Sequence, residues 1–253
     1  LQETSHGASA VPAYRIGMLT PSSNTVLEPA TNTLIAPLAS QASVHFGRFR
    51  VTRIAMDDAS DEQFADDAIL TAADLLADAC PSIIAWNGTA ASWRGFETDT
   101  RLCEMIEART GCPATSAIMG LNEALSLFAV RRLGLVTPYT GDVQEAMIAN
   151  YATLGIEVAA ARRADLSDNY SFATVEAGTV QEMCREVASD GVDAVAVVCT
   201  NMRGPLIARA VEDEFDVPVI DSIAVTLWTA LRRLGVDTRP LARFGRLFEA
   251  GAA

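Results

Sequence analysis

The sequence predicts an α/β protein built from two pseudo-symmetric halves, each a parallel sheet flanked by helices, with the active site between them. Three observations carry this. First, Arg15-Ile-Gly-Met-Leu-Thr-Pro21 returns as Arg132-Leu-Gly-Leu-Val-Thr-Pro138, and Pro81-Ser-Ile-Ile-Ala-Trp-Asn-Gly-Thr89 is answered by Val192-Asp-Ala-Val-Ala-Val-Val-Cys-Thr200. Second, later pairs keep the order: Cys112-Pro113 matches Val217-Pro218, and Leu127-Phe-Ala-Val-Arg-Arg-Leu-Gly134 echoes Leu227-Trp-Thr-Ala-Leu-Arg-Arg-Leu-Gly235. Third, near-continuous Val/Ile/Ala strands alternate with amphipathic helices, the pattern of parallel sheets covered on both faces. The match sets Gly88 opposite Cys199.

Residues 16–20 read as the first strand, stopped by Pro21-Ser-Ser. Phe64, Ala68, Ile69, Ala72, Leu75, Leu76 and Ala79 recur at helical spacing and mark a buried face. Asp57, Asp58, Asp61, Glu62, Asp66 and Asp67 read as the solvated start of that helix, favourable to its dipole. Residues 82–85 form a buried strand, and 101–106 belong to the next helix. In the second half, 133–137 is a strand, and Val143, Met147, Ile148, Tyr151 and Leu154 mark a helix face. Residues 194–198 form a strand buried on both sides. In such sheets ligands lie beyond the carboxyl ends of the strands, which selects the loops 21–25, 87–92, 138–142 and 199–202. They correspond pairwise, so one site shared between the halves is the economical arrangement.

The chain has 253 residues, half hydrophobic and a fifth charged, enough for a sizeable core. The repeat divides it into a first half over 14–130 and a second over 131–253, with terminal helices free to pack across onto the other half. Residues 1–13 lack periodicity and read as a flexible lead-in. A formal charge of −13 opposes binding to nucleic acid or an anionic membrane through like-charge repulsion. An anionic substrate must therefore be held by local donors. No apolar run reaches the roughly 18 residues that cross a bilayer, and no leader pattern is read, so the expected location is cytoplasmic.

Five cysteines, odd in number and irregular in spacing, with only His6 and His45 as imidazoles, point to neither a disulfide framework nor a zinc site. Cys103 and Cys184 fall within helical patterns, Cys80 closes a helix and Cys112 precedes a proline; these read as buried or incidental thiols. Cys199 differs. It follows a buried strand and precedes a polar turn, with Pro205 placed to open the next helix. A thiol facing a helix N-terminus has its pKa lowered, which suits it to act as acid, base or nucleophile near neutral pH.

Short donors crowd the selected loops: Ser22, Ser23, Asn24, Thr25, Asn87, Thr89, Ser92, Thr140, Thr200 and Asn201, beside Tyr139. Such groups hold a carboxylate without a formal cation. Ser22, Ser23 and Thr140 serve equally as helix caps, whereas Asn24, Thr89 and Tyr139 read as ligand contacts. Trp86 and Trp93 line or underlie the pocket. There is no dinucleotide loop, phosphate loop or His-Glu-x-x-His, and neither a cofactor nor a metal is expected.

Pro21-Ser-Ser-Asn-Thr25, Ala85-Trp-Asn-Gly-Thr89, Val136-Thr-Pro-Tyr139 and Val197-Val-Cys-Thr-Asn201 resemble, in this order, the aspartate/glutamate racemase superfamily. Within it they are most similar to the maleate isomerase and arylmalonate decarboxylase branch. The resemblance covers residues 14–249 and implies two flavodoxin-like halves around a cofactor-free site for small mono- or dicarboxylates. Racemases and maleate isomerases carry a cysteine in each half; here Cys199 fills the second position and Gly88 the first. Arylmalonate decarboxylases share that glycine. In their chemistry, donors around one carboxylate stabilise an enediolate after carbon dioxide leaves, and the remaining cysteine protonates it.

The resemblance therefore implies Thr89 and Tyr139 as carboxylate contacts and Cys199 as the acid, with Gly88, Ala90, Thr200 and Asn201 lining the site. Asn24 belongs to the isomerase-like loop, and Ala90 stands where a decarboxylase has another hydroxyl. Asn169, in Ser167-Asp-Asn-Tyr170, either matches a substrate-contacting asparagine of the isomerases or caps the helix that follows. The Trp-Asn-Gly-Thr segment is also similar to members assigned to ectoine utilisation. The expected function is a cofactor-independent, arylmalonate decarboxylase-like enzyme that forms and reprotonates an enediolate-like carbanion, using Cys199 alone. The alternatives are a maleate isomerase- or amino-acid racemase-like isomerase, including a role in ectoine catabolism, and a non-catalytic carboxylate-binding protein. A homo-oligomer is compatible with either.

Overall fold

The computed structural model describes residues 12–54 and 66–250. Within these lie two four-stranded sheets, parallel throughout. In the first, β1 (Tyr14–Pro21), β2 (Ala42–Phe49), β3 (Ile83–Trp86) and β4 (Ala114–Ser116) take the order β2-β1-β3-β4. In the second, β5 (Arg132–Thr137), β6 (Glu157–Arg163), β7 (Ala194–Val197) and β8 (Val219–Asp221) take the order β6-β5-β7-β8. The sequence repeat is thus a repeat of topology, and the predicted α/β class with two helix-flanked parallel sheets holds. Every residue of β3 and β7 is buried, which is why both read as apolar runs.

The helices are α1 (Leu27–Ile35), α2 (Asp66–Ala77), α3 (Ala91–Arg94), α4 (Glu97–Thr110), α5 (Ala117–Leu127), α6 (Gly141–Thr153), α7 (Ala177–Ala188), α8 (Ala208–Phe215) and α9 (Ser222–Arg233). α5 and α9 start where β4 and β8 end, each under a side-chain cap. Ser116 Oγ accepts the N–H of Met119 at 3.0 Å, and Asp221 Oδ1 accepts those of Ile223 and Ala224 at 2.7 and 3.1 Å. The two helices pack against each other across the halves. At Gly120 a Cβ would come within 2.4 Å of Thr229 Oγ1, so only glycine allows this approach. Arg233 of α9 reaches over to the Ala114 carbonyl at 3.0 Å and to Glu123 at 2.8 Å.

Four expected core positions, Ala68, Leu75, Ala79 and Leu154, are exposed. On α2 the buried stripe is Ile69, Leu70, Ala72, Ala73 and Leu76, and Leu75 lies off that stripe at 70% exposure. Leu154 follows the last residue of α6 and is likewise exposed. Phe64, the acidic residues Asp57, Asp58, Asp61 and Glu62, and the lead-in as far as residue 11 lie outside the described residues. Among those described, no helix is long and apolar enough to cross a membrane.

Candidate active site

The loops after β1, β3, β5 and β7 meet between the sheets, where the halves exchange side-chain hydrogen bonds. Asn24 donates from Nδ2 to the Thr200 carbonyl at 2.9 Å and to Thr200 Oγ1 at 3.2 Å, while its Oδ1 accepts the N–H groups of Val26 and Leu27 at 3.0 and 2.9 Å. Both donors and both lone pairs are thereby used within the protein. Asn24 caps the start of α1 and ties it to the second half.

Asn201 mirrors it. Its Oδ1 accepts from the backbone of Thr25 and Val26 at 3.0 and 3.2 Å, and its Nδ2 donates to the Asn169 carbonyl at 2.5 Å. Thr200 Oγ1 donates to the Asn87 carbonyl at 2.9 Å. Asn169 does not cap the following turn, a task taken by Asp168 through the Ser171 N–H at 2.8 Å. It donates instead to Ser23 Oγ at 2.7 Å across the seam, and Ser23 in turn donates to the Val51 carbonyl at 2.6 Å. Thr140 stands at the start of α6 but makes no side-chain cap; its hydroxyl donates to Asp142 Oδ1 at 2.5 Å.

Cys199, Tyr139 and Thr89, the expected acid and carboxylate contacts, are all buried. Thr89 Oγ1 and the Tyr139 hydroxyl share a 2.6 Å hydrogen bond across the halves. The Tyr139 ring is held edge-on by Trp93 and Phe172, with centroids 5.1 and 5.4 Å away, so its hydroxyl points from a fixed base. That hydroxyl and the Cys199 thiol also act on each other's ionisation. The Asn201 N–H donates to Cys199 Sγ at 3.3 Å. Gly88 lies two positions past the end of β3, as Cys199 lies two past the end of β7. Ala90, buried, leads into α3 with its carbonyl accepting from Trp93 and Arg94 at 3.1 and 2.9 Å.

The helix-start environment expected for Cys199 is not present. Pro205 opens no helix; α8 begins at Ala208, and a turn follows the thiol instead. Burial pushes the Cys199 thiol up to about 12, and the Asn201 N–H and Tyr139 hydroxyl draw it only part of the way back. At neutral pH it holds its proton. Burial likewise raises Tyr139 above the ordinary tyrosine range. Of the other cysteines, Cys103, Cys112 and Cys184 are buried and Cys80 is exposed. No group of three or more His, Cys, Asp or Glu side chains able to hold a metal ion occurs among the described residues.

Three buried acids, Asp221, Asp99 and Glu212, escaped the sequence reading. Asp221 caps α9 with one oxygen while Oδ2 has no hydrogen-bond partner among the described residues, and burial raises its carboxyl to about 8. Its negative charge in turn raises the Cys199 pKa. Asp99 is raised by burial to about 7, with Ser116 and the Trp86 indole drawing it back. For Asp221 a signal existed: an acid closing the apolar Val219-Ile220 run immediately before a helical pattern is a capping signature. Asp99 carries no such signal, because it sits among charged neighbours on a polar-looking helix.

A duplicated parallel α/β scaffold, with one thiol among hydroxyls and amides at its seam, defines a carbon-acid enzyme of the aspartate/glutamate racemase superfamily. A family model described as arylmalonate decarboxylase matches residues 24–248, and the chain belongs to that family. It is 27% identical over 239 residues to the maleate isomerase of Alcaligenes faecalis, covering 89% of this chain and 93% of the relative. It is also 27% identical over 172 residues to the arylmalonate decarboxylase of Bordetella bronchiseptica, covering 66% and 71%. In fold it is similar to the Nocardia farcinica maleate cis-trans isomerase bound to TRIS, with a TM-score of 0.82 at 23% identity over 93% of this chain and 97% of that one. The protein is accordingly a cofactor-independent isomerase or decarboxylase of this superfamily.

Proposed function

We propose that the protein forms an enediolate-like carbanion on a small carboxylate held at the seam, and that Cys199 is the one thiol that exchanges a proton with it. The observation that carries this is the buried Thr89–Tyr139–Cys199 arrangement. A carboxylate entering between Thr89 and Tyr139 exchanges their 2.6 Å bond for two hydroxyl donors, next to a thiol that keeps its proton at neutral pH. Positioned donors around the developing oxyanion supply the largest catalytic contribution, and proton transfer the next. Asn24, Asn201, Thr200 and Asn169 hold the loops in register, and the backbone at Gly88 and Ala90 lines the first-half wall.

Isomerisation of a small mono- or dicarboxylate, as a shift of one proton between carbons along a single face that one thiol can carry, is the leading overall reaction. It is supported by the likeness to maleate isomerases, which spans nearly the whole chain, whereas the decarboxylase likeness spans about two thirds. Decarboxylation is the second reading, supported by Gly88 in place of a first-half thiol. The C–C bond to the departing carboxylate breaks, its electron pair passes into the retained carboxylate as an enediolate, carbon dioxide leaves and the Cys199 proton goes to carbon.

The pH profile separates the two. Isomerisation that begins with proton removal needs the Cys199 thiolate, so its rate rises through the alkaline range toward the raised thiol pKa. Decarboxylation needs the thiol, so its rate stays level through neutrality and falls only as the thiol ionises. Small carboxylates with an acidic C–H next to the carboxylate, and substituted malonates, turned over in heavy water, test both. Binding without deuterium entering any product or recovered substrate would leave the non-catalytic carboxylate-binding protein.

A further inference from the structure

The positions that answer each other in the two halves differ by an exchange of volume. In the second half the strand ends on Val197 and Cys199 keeps its side chain. In the first half the strand ends on Trp86 and position 88 has no side chain. A Cβ built at Gly88 would lie 1.8 Å from Trp86 Cζ2, 2.2 Å from Cε2 and 2.6 Å from Cη2, well inside contact distance. Backbone conformation does not demand glycine there, since Gly88 is not among the residues of positive φ. What demands it is the indole.

The ring has little room to retreat. Trp86 is 1% exposed and packs on Phe49 with centroids 5.1 Å apart. The cavity beside it, lined by Ile69, Ala90, Thr98 and Asp99, holds about 40 Å³, room for about one water rather than a displaced indole.

We propose that Trp86 is a specificity-determining residue of this site. Its indole fills the space that a side chain at position 88 would enter, replacing a second acid–base group with an apolar wall that cannot titrate. Proton exchange is thereby confined to the face of the substrate that Cys199 meets. This rests on the proposed function above for its chemical consequence, while the packing relation stands apart from it. Gly88 and Trp86 form one unit: a thiol enters position 88 only when residue 86 shrinks to the size of its counterpart Val197.

The test compares Gly88→Cys, Trp86→Val and the double variant, all in a Cys80→Ser background because Cys80 is exposed. Gly88→Cys alone should melt several degrees lower or fail to fold, and Trp86→Val/Gly88→Cys should be more stable than the Gly88→Cys chain, a non-additive pair. In the double variant the new thiol should react with an aromatic disulfide reagent in the folded protein. Maleate or malonate at ~10 times its dissociation constant should slow that reaction about tenfold.

Gly88→Cys with wild-type melting and no influence of residue 86 would overturn the packing relation. A new thiol that neither ligand protects would overturn its placement in the site. Absence of turnover in the wild type, with coupling and protection intact, would count against the proposed reaction and against Trp86 as its specificity residue, and leave the packing relation standing.

Discussion

The loops after β3 and β7 occupy the same place in two copies of one topology and are filled in opposite ways. After β7 a small Val197 leaves room for Cys199, whose sulfur receives the Asn201 N–H at 3.3 Å. After β3 the Trp86 indole covers the backbone, and position 88 carries no side chain. The rest of the seam is nearly reciprocal, with Asn24 reaching to Thr200 and Asn201 reaching back to Thr25 and Val26. A duplicated scaffold has become one-sided by placing bulk at the end of one strand, with strand order and loop contacts kept. Symmetry of fold therefore says little about symmetry of chemistry; the side chains at strand ends decide it.

The largest effect should come from removing the one retained thiol. Cys199→Ala is expected to lower turnover on the responsive substrate by about 10²–10⁴-fold, the usual contribution of a general acid or base. Its melting temperature should stay within a few degrees of wild type, because only one sulfur atom leaves the core. Next comes imposing the first-half filling on the second. Val197→Trp forces an indole toward Cys199 and should destabilise the fold by about 3 kcal/mol, as overpacked cores do. Adding Cys199→Gly should recover part of that in denaturant unfolding.

The caps of α5 and α9 offer a third contrast, since Ser116 is neutral where Asp221 is a buried acid. The Asp221 carboxyl rises from the ordinary 3.8 to about 8 on folding. Its contribution to stability is thus complete below pH 3.8 and is lost as pH climbs through 8. Asp221→Asn should flatten the decline in stability between pH 5 and pH 8 by on the order of 2 kcal/mol. Ser116→Ala should leave the slope of that decline unchanged.

The smallest effect concerns the hydroxyl bond that joins the halves at the thiol. Tyr139→Phe should lower kcat/KM by about tenfold, near 1.4 kcal/mol. The alkaline limb of the pH profile should also move upward, because the Tyr139 hydroxyl is one of the groups that draws the Cys199 pKa down.

Much of this arrangement was legible in the sequence, for identifiable reasons. β1, β3, β5 and β7 are buried on both faces and read as apolar runs, so the central strands and the loops beyond them could be located. The edge strands β2 and β6, Ala-Ser-Val-His-Phe-Gly-Arg-Phe and Glu-Val-Ala-Ala-Ala-Arg-Arg, are half solvated and poor in β-branched residues; nothing in their pattern announced a strand.

At the site, pairing the loops brought Cys199, Tyr139 and Thr89 together, but sequence spacing does not report depth. Pro205 points in the sequence to a helix start, and with it to a lowered thiol pKa. The turn at residues 199–207 and full burial reverse that direction. Likewise Asn24 reads as a ligand contact and Asn169 as either a ligand contact or a cap, and each reaches with its amide to the opposite half, a fact visible only once the halves face each other. The meaning of Gly88 was open for the same reason: an alignment shows a missing thiol, and only packing shows the Trp86 ring in its place.

The proton inventory of the site is tested most directly by turning over a prochiral substituted malonate and a small chiral carboxylate in heavy water, with the configuration at the labelled carbon read by NMR. A single deuterium added from one face, absent in the Cys199→Ala chain, is the expected result. Racemic labelled product from the wild type, or undiminished labelling without Cys199, would contradict one-face exchange by a single thiol.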